Sequence, residues 1–250
     1  MVGSAESGVV PALVAHRGAA AAFPENTLAA LRAAADCGVR SIEMDVQLTA
    51  DRVPVLLHDE SLLRTAGIDR LVTAAVASEV CKVPVGQMQQ FGDRFTGETV
   101  PLLRDALEQL DTPGLRLFIE LKRHSLRAFG RRRMLAAVLP LLAGARQECV
   151  LISFDRMVLE QARQMSDLPI GWVLQEVSRQ TREQVASLRP EFVFCNHLRL
   201  AAEPGALWPG AWQWVIYEVT EAGHARQLGV RGATLIESMH ACRLQHELHG

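Results

Sequence analysis

Short aliphatic or β-branched runs punctuate the chain at fairly regular intervals. They fall at Ala12–Ala15, Val39–Leu48, Val53–Leu57, Leu115–Leu121, Cys149–Phe154, Ile170–Leu174, Phe192–Cys195, Trp212–Val219 and Ala233–Ile236. Runs of this length and composition predict buried strands. Helix-like segments separate most of them. The clearest is Thr27–Cys37, with Pro24 and Asn26 at its start, alanines along it and Gly38 as a stop. Others are predicted near 102–110, 129–142, 156–166, 179–188 and 221–228. Strands alternating with helices predict a parallel sheet, and about eight such units predict a TIM-like (β/α)8 barrel. Two features depart from the ideal repeat. Nine strands are predicted, one too many. The link from Leu48 to Val53 is also too short for a crossover helix, so the third strand should not follow the simple repeat. The stretch from about 60 to 100 reads as a small insertion after that strand. With no internal repeat and no low-complexity linker, residues 1–250 are expected to form one barrel domain.

The second strand mixes two kinds of side chain. Ile42, Met44, Val46 and Leu48 share one face; Glu43, Asp45 and Gln47 share the other. Two carboxylates on an otherwise apolar strand are costly to bury without a counter-charge. A solvated strand face would avoid that cost; a Mg²⁺ or Ca²⁺ ion would offset it, since both prefer oxygen ligands. In the fourth strand Glu120 again interrupts hydrophobic residues near the C-terminal end, where barrel active sites lie. Lys122 follows two residues later, able either to pair with Glu120 or to reach an anion on the same metal. His16 and His58 stand at two more strand ends, each either structural or an acid/base pair. Arg17 offers a planar fork to phosphate oxygens. The set as a whole suits metal-assisted transfer at an anionic centre, most simply a phosphate ester.

Composition narrows the classes. The chain has 250 residues, 49% of them hydrophobic and 22% charged, enough for a large core. Its 26 Lys and Arg against 28 Asp and Glu give −2, without the basic excess of a nucleic-acid-coating protein. No run is long enough to span a membrane, and the first residues lack a basic region ahead of an apolar one. Five scattered cysteines without a CxxC pair read as reduced, structural thiols of a cytoplasmic protein. The basic run Arg131–Arg133 reads as a solvated helix face. Trp208, Trp212 and Trp214 read as core, with pocket lining or a homo-oligomer contact as the alternatives. His124 and His197 read as structural or substrate-contacting, and His240, His246 and His249 as solvated.

Five segments carry a resemblance. His16-Arg17-Gly18, Pro24-Glu25-Asn26-Thr27, Ile42-Glu43-Met44-Asp45-Val46, His58-Asp59 and Ile119-Glu120-Leu121-Lys122 match, in order and spacing, the glycerophosphodiester phosphodiesterase family. The chain most resembles its cytoplasmic bacterial members. Ile152-Ser153-Phe154, Val215–Thr220 and Gly232–Ser238 extend the match more thinly. The resemblance implies hydrolysis of glycerophosphodiesters, such as glycerophosphocholine or glycerophosphoethanolamine, to sn-glycerol 3-phosphate and an alcohol. It implies one divalent cation on Glu43, Asp45 and Glu120, a general acid/base pair in His16 and His58, and phosphate contacts from Arg17 and Lys122. Tyr217 would offer its ring to the substrate. The alternatives are a phosphodiesterase acting on a lysophospholipid or another phosphodiester, and an inactive barrel with a binding role. Two departures stand out: Tyr217-Glu218-Val219-Thr220 where the family often has Trp-Thr-Val-Asn, and Ile236-Glu237-Ser238 in place of a closing Thr-Asp. Both fall on the glycerol or alcohol pocket.

Overall fold

The structure, a computed structural model, describes residues 10–200 and 205–250. Nine strands form one sheet: β1 (Ala12–Ala15), β2 (Ser41–Leu48), β3 (Pro54–Leu56), β4 (Arg116–Leu121), β5 (Glu148–Ser153), β6 (Ile170–Val173), β7 (Phe192–Asn196), β8 (Gln213–Tyr217) and β9 (Leu235–Ser238). Eight of them, all but β3, run parallel and close on themselves, because β1 pairs with both β9 and β2. β3 is the extra strand. It folds back antiparallel on β2, with Val46 opposite Leu56, as the short link requires.

Helices fill the connections: α1 (Leu28–Asp36), then α2 (Leu63–Ala66), α3 (Ala77–Val80) and α4 (Met88–Phe91) inside the insertion, then α5 (Leu103–Gln109), α6 (Arg123–Phe129), α7 (Arg131–Ala143), α8 (Arg156–Met165), α9 (Arg179–Leu188), α10 (Ala222–Val230) and α11 (Ala241–His249). α6 and α11 are helices that the sequence pattern does not announce. Helix starts follow their caps. Thr27, Asp155 and Ser178 each accept from a backbone N–H of the first turn of α1, α8 and α9.

Strand alternation sorts the residues into layers. Ile42, Met44, Val46 and Leu48 pack outward with Leu117, Ile119 and Leu121 under the helices. Inside, Val14, Phe118, Val150, Ile152, Val173, Phe192, Phe194, Val215 and Leu235 fill the barrel. Phe118 meets Phe192 and Phe194 edge-on at 5.0 and 5.1 Å between ring centroids. Gly171 makes room for this packing, since a Cβ there would lie 2.9 Å from Phe194 and 2.8 Å from Ile152. The insertion has a core of its own, built from Val55, Leu57, Leu62, Val72, Ala75, Val80, Val85 and Val100.

One expectation is overturned. The cysteines are not all reduced: Cys37 and Cys242 form a disulfide with Cα atoms 5.6 Å apart. A separation of 205 residues hides the pair in the sequence. Barrel closure sets β1 beside β9, and that brings the helices that follow them, α1 and α11, together. Cys81, Cys149 and Cys195 are free. Among the described residues no helix is long and apolar enough to cross a membrane. Trp214 is buried, as expected of core, and its indole N–H donates to the Trp208 carbonyl.

Candidate active site

The interior alternation carries polar groups above the apolar plug. Glu43, Asp45 and Gln47 continue the inward face of β2. Glu120 and Lys122 follow Phe118 on β4, and Glu237 follows Leu235 on β9. Asp45 lies opposite Glu120 in the β2–β4 register. Glu120, Lys122 and Glu237 sit at or just past the C-terminal ends of their strands, and Glu43 and Asp45, earlier on the longer β2, meet them at the mouth of the barrel.

The turn after β1 is built to reach this cluster. Arg17 and Asn26 both adopt positive φ, 56° each, and Asn26 N–H donates to the Arg17 carbonyl. At Gly18 (φ +80°) a Cβ would lie 2.6 Å from the Ala30 backbone, so only glycine lets the turn pack on α1. The Asn26 amide then grips Asp45 twice: its Nδ2 donates to Oδ2 at 2.8 Å, and its Oδ1 accepts from the Asp45 N–H at 3.0 Å. The Arg17 N–H donates to Glu43 Oε2 at 2.9 Å, and its side chain pairs with Glu25 at 3.0 Å and Asp45 at 3.2 Å. Lys122 Nζ lies 2.9 Å from Glu120 and 3.0 Å from Asp45. Of the two sequence alternatives for Lys122, the ion pair with Glu120 is present, and the side chain also lines the cavity.

His16 Nε2 stands 3.4 Å from Glu237 and 3.9 Å from Glu43. His58 donates or accepts through Nδ1 at 2.7 Å from Asp59 Oδ1. An ionised Asp59 can only accept, so Nδ1 carries the proton and Nε2 keeps its lone pair. Gln47 secures this turn by donating to the carbonyls of Leu57, His58 and Asp59. The mouth encloses a cavity of about 200 Å³. One side of it is His16, Arg17, His58, Glu120, Lys122 and Glu237; the facing wall carries Phe154, Phe194, Asn196, Tyr217 and Glu218.

The electrostatics follow from burial and imbalance. Four carboxylates, Glu43, Asp45, Glu120 and Glu237, share the site with two permanent cations, Arg17 and Lys122. Burial and then Asp45 push the Glu43 carboxyl well above its usual range. Burial, then Glu120 and Asp45, raise Glu237 to about 8. Burial also raises Glu120, against the pull of Lys122. Asp45 goes the other way: Lys122 and Arg17 outweigh its burial and hold it far below the usual carboxylate range. Burial, aided by Arg17, lowers His16 to about 3. Burial lowers His58 too, with Lys122 and Arg17 adding to it and Asp45 opposing.

A hard divalent cation fits this imbalance. One carboxylate oxygen each from Glu43, Asp45 and Glu120 lies within 4.8 Å of the others, and Glu43 Oε1 is buried without a hydrogen-bond partner. A second group, His16, Glu43 and Glu237, meets the same spacing. An all-oxygen set with surplus negative charge suits Mg²⁺ or Ca²⁺.

Every site residue expected from the sequence lies at this mouth, Tyr217 on the far wall. Sequence reading missed Glu237, because the ninth strand was expected to end at Ile236. One more residue of alternation from Leu235 would have turned it inward. It also gave no role to Glu25, Asn26, Gln47, Asp59 or Arg64. The other histidines stand apart: His124 pairs with Glu60 at 3.0 Å, and His197 stacks edge-on with His224.

Fold and mouth together define a (β/α)8 barrel whose mouth gathers acidic groups able to hold a metal ion. The chain belongs to the glycerophosphoryl diester phosphodiesterase family, whose model matches residues 16–203. Family members are generally dependent on a divalent metal. Over 116 residues, 46% of this chain and 35% of the relative, it is 36% identical to Glycerophosphodiester phosphodiesterase 1 of Bos taurus. Over 110 residues, 44% of each, it is 37% identical to a glycerophosphodiester phosphodiesterase of Caldanaerobacter subterraneus subsp. tengcongensis. The matches thus span less than half the length of these curated relatives. Among solved structures, an Oleispira antarctica phosphodiesterase in complex with the product sn-glycerol-3-phosphate superposes with a TM-score of 0.84, covering 96% of this chain and 98% of that one, at 24% identity. A glycerophosphodiester phosphodiesterase from Thermotoga maritima gives 0.73 over 95% and 98%, at 20% identity. At such identities the likeness is one of fold.

Proposed function

We propose that this chain hydrolyses glycerophosphodiesters to sn-glycerol 3-phosphate and an alcohol. The observation that carries the reading is the juxtaposition at one barrel mouth of three clustered carboxylates, two histidines and the Arg17–Lys122 pair. The family relatives and the product held by the Oleispira enzyme support it. Glu43, Asp45 and Glu120 would hold one Mg²⁺ or Ca²⁺, which when bound polarises a phosphate oxygen. Arg17 and Lys122 offset phosphate charge as it builds in the transition state. His58, with Nδ1–H fixed by Asp59, accepts a proton at Nε2 from the attacking hydroxyl, that of water or the substrate's own 2-hydroxyl. His16, which burial keeps neutral in the free site, is charged only once the anionic phosphate enters beside it, and then returns a proton to the leaving alkoxide as the P–O bond breaks. In the cyclic route, water opens the ring in a second step with the two roles reversed. Tyr217 lines the wall where the alcohol would sit. Glycerophosphocholine and glycerophosphoethanolamine are the first substrates to try.

Replacing either histidine by alanine should lower turnover by about 10²–10⁴-fold. A His16→Ala or His58→Ala enzyme with near-normal turnover would remove that residue from the mechanism. Glu120→Gln should weaken Mg²⁺ or Ca²⁺ binding in calorimetry; an unchanged affinity would take it out of the ligand set.

A lysophospholipid substrate is a second reading, favoured by one observation. Beside the mouth, α2 and α4 flank a cavity of about 690 Å³ lined by Leu63, Ala66 and Met88 among Gln87, Gln89 and Gln90. Release of choline from lysophosphatidylcholine, compared with glycerophosphocholine, separates the two. The disulfide weighs against a cytoplasmic location, since such bonds persist in oxidising compartments.

A further inference from the structure

The insertion sends one side chain back to the catalytic mouth. Arg64, on α2, places its guanidinium between two carboxylates from different turns. Its Nη1 and Nη2 donate to Glu25 Oε2 and Oε1 at 2.8 and 2.7 Å, and its Nε donates to Asp59 Oδ2 at 2.6 Å. Each carboxylate uses its remaining capacity on the site. Glu25 Oε1 also accepts from Arg17 at 3.0 Å, and Asp59 Oδ1 meets His58 Nδ1 at 2.7 Å. A continuous chain therefore runs Arg17–Glu25–Arg64–Asp59–His58. It joins the turn after β1 to the turn after β3, and Arg64 is its only link from the insertion among the described residues. The fork is presented from an anchored helix: Leu62, two residues before it, and Thr65, directly after it, are buried, and Gly67 closes the helix at φ +72°.

We infer that Arg64 is a positioning residue for hydrolysis: by holding Asp59 against His58 Nδ1, and Glu25 against Arg17, it sets the aim of the proton-transferring imidazole and of the phosphate-binding guanidinium. This rests on the phosphodiesterase reading. It gives the insertion a task that no helix of the barrel performs. A planar fork suits the task, because its donors are fixed toward three oxygens at once, both of Glu25 and one of Asp59, whereas a lysine ammonium is a point charge on a flexible stem. The charges facing His58 are Asp59 on its own turn, Asp45 on β2, Lys122 after β4, and Arg17 and His16 after β1. Arg64 acts on this balance through Asp59.

Three measurements on one variant test the inference. Arg64→Ala should lower kcat about 10–100-fold, the range for losing a group that orients a functional side chain, with KM changing less. Its His58 resonance should titrate at higher pH than in the wild type by NMR, since a nearby cation is gone and Asp59 is freer to favour imidazolium. Added guanidinium at millimolar concentration should restore part of kcat, because nearly half of the Arg64 side chain is open to solvent. Arg64→Lys should restore less than half of the loss while keeping the fold. A kcat within twofold of wild type would overturn the inference. So would a loss with an unmoved His58 titration and no guanidinium rescue, which would mark Arg64 as merely structural. If the wild type hydrolyses no glycerophosphodiester, the phosphodiesterase reading fails, and the His58 titration alone then decides whether the relay exists.

Discussion

Lys122 is the most exposing point at which to perturb the site. It is buried, with Nζ within 3.0 Å of both Asp45 and Glu120. Burial alone would lower its pKa, yet Asp45 and then Glu120 raise it well above the ordinary lysine value. Lys122→Met keeps much of the side-chain volume and removes the charge. Four buried carboxylates then face Arg17 alone. Removing one partner of a buried pair typically costs about 3–5 kcal/mol, because the other charge stays behind. For a chain this long that corresponds to a Tm lower by about 6–20 °C. A divalent cation should act in the opposite direction. Less positive charge at the site means tighter binding, and a ligand at 100 times its Kd adds about 2.7 kcal/mol. The assay is thermal unfolding in chelator and in a Mg²⁺ or Ca²⁺ series, for both proteins. The variant should be much less stable in chelator and should gain more from the ion. A loss under 1 kcal/mol in chelator, or a smaller metal-induced rise than in wild type, would refute the charge-imbalance argument.

Other expectations follow from single contacts. Asn26→Ala removes both bonds to Asp45 and sets a Cβ residue other than asparagine at φ +56°; denaturant unfolding should show a loss of about 2–4 kcal/mol, and a loss under 0.5 would contradict the clamp. Gly171→Ala presses a methyl on Ile152 and Phe194 and should cost about 1–3 kcal/mol; unchanged stability would mean the interior yields more easily than it is drawn. Thiol titration of the unfolded, unreduced protein should find Cys81, Cys149 and Cys195 only, and Cys242→Ser should cost about 2–5 kcal/mol. Five reactive thiols would remove the disulfide. The folded pKa of His58 lies below 6.5, so a base at that position stays competent as pH falls past 6.5, and the acidic limb of kcat/KM should lie under that value. The same shift makes proton uptake favour the unfolded chain, so His58 withdraws stability as pH drops from about 6.5 toward its folded value. An acidic limb above 6.5 would assign it to another group.

Much of this architecture is legible in residue periodicity. β2 and β4 alternate so cleanly that the inward placement of Glu43, Asp45 and Glu120 follows from counting by twos. The five-residue link Thr49–Val53 forbids a crossover and so marks β3 as the strand that turns back. What stays hidden depends on long-range closure. Cys37 and Cys242 become neighbours only when β1 meets β9. Glu237 belongs to the site only if its strand runs past Ile236, and strand ends are the least constrained feature of a short aliphatic run. Arg64 sits in a segment with no periodicity at all, on a four-residue helix. Its role comes from three turns meeting in space. Helix α6 escapes notice because Arg123-His124-Ser125 at its start reads as a polar loop, although Leu126 packs into the core.

The central claim is that this barrel mouth cleaves glycerophosphodiesters with a cation on Glu43, Asp45 and Glu120. The most direct test is release of sn-glycerol 3-phosphate from glycerophosphocholine and glycerophosphoethanolamine by metal-stripped protein, before and after addition of Mg²⁺ or Ca²⁺. The stripped protein should release nothing, the wild type should release product once one of the ions is added, and Glu120→Gln should release none at the same ion concentration. Folded wild-type protein that releases nothing with either ion, or that releases product equally well when stripped, would contradict it.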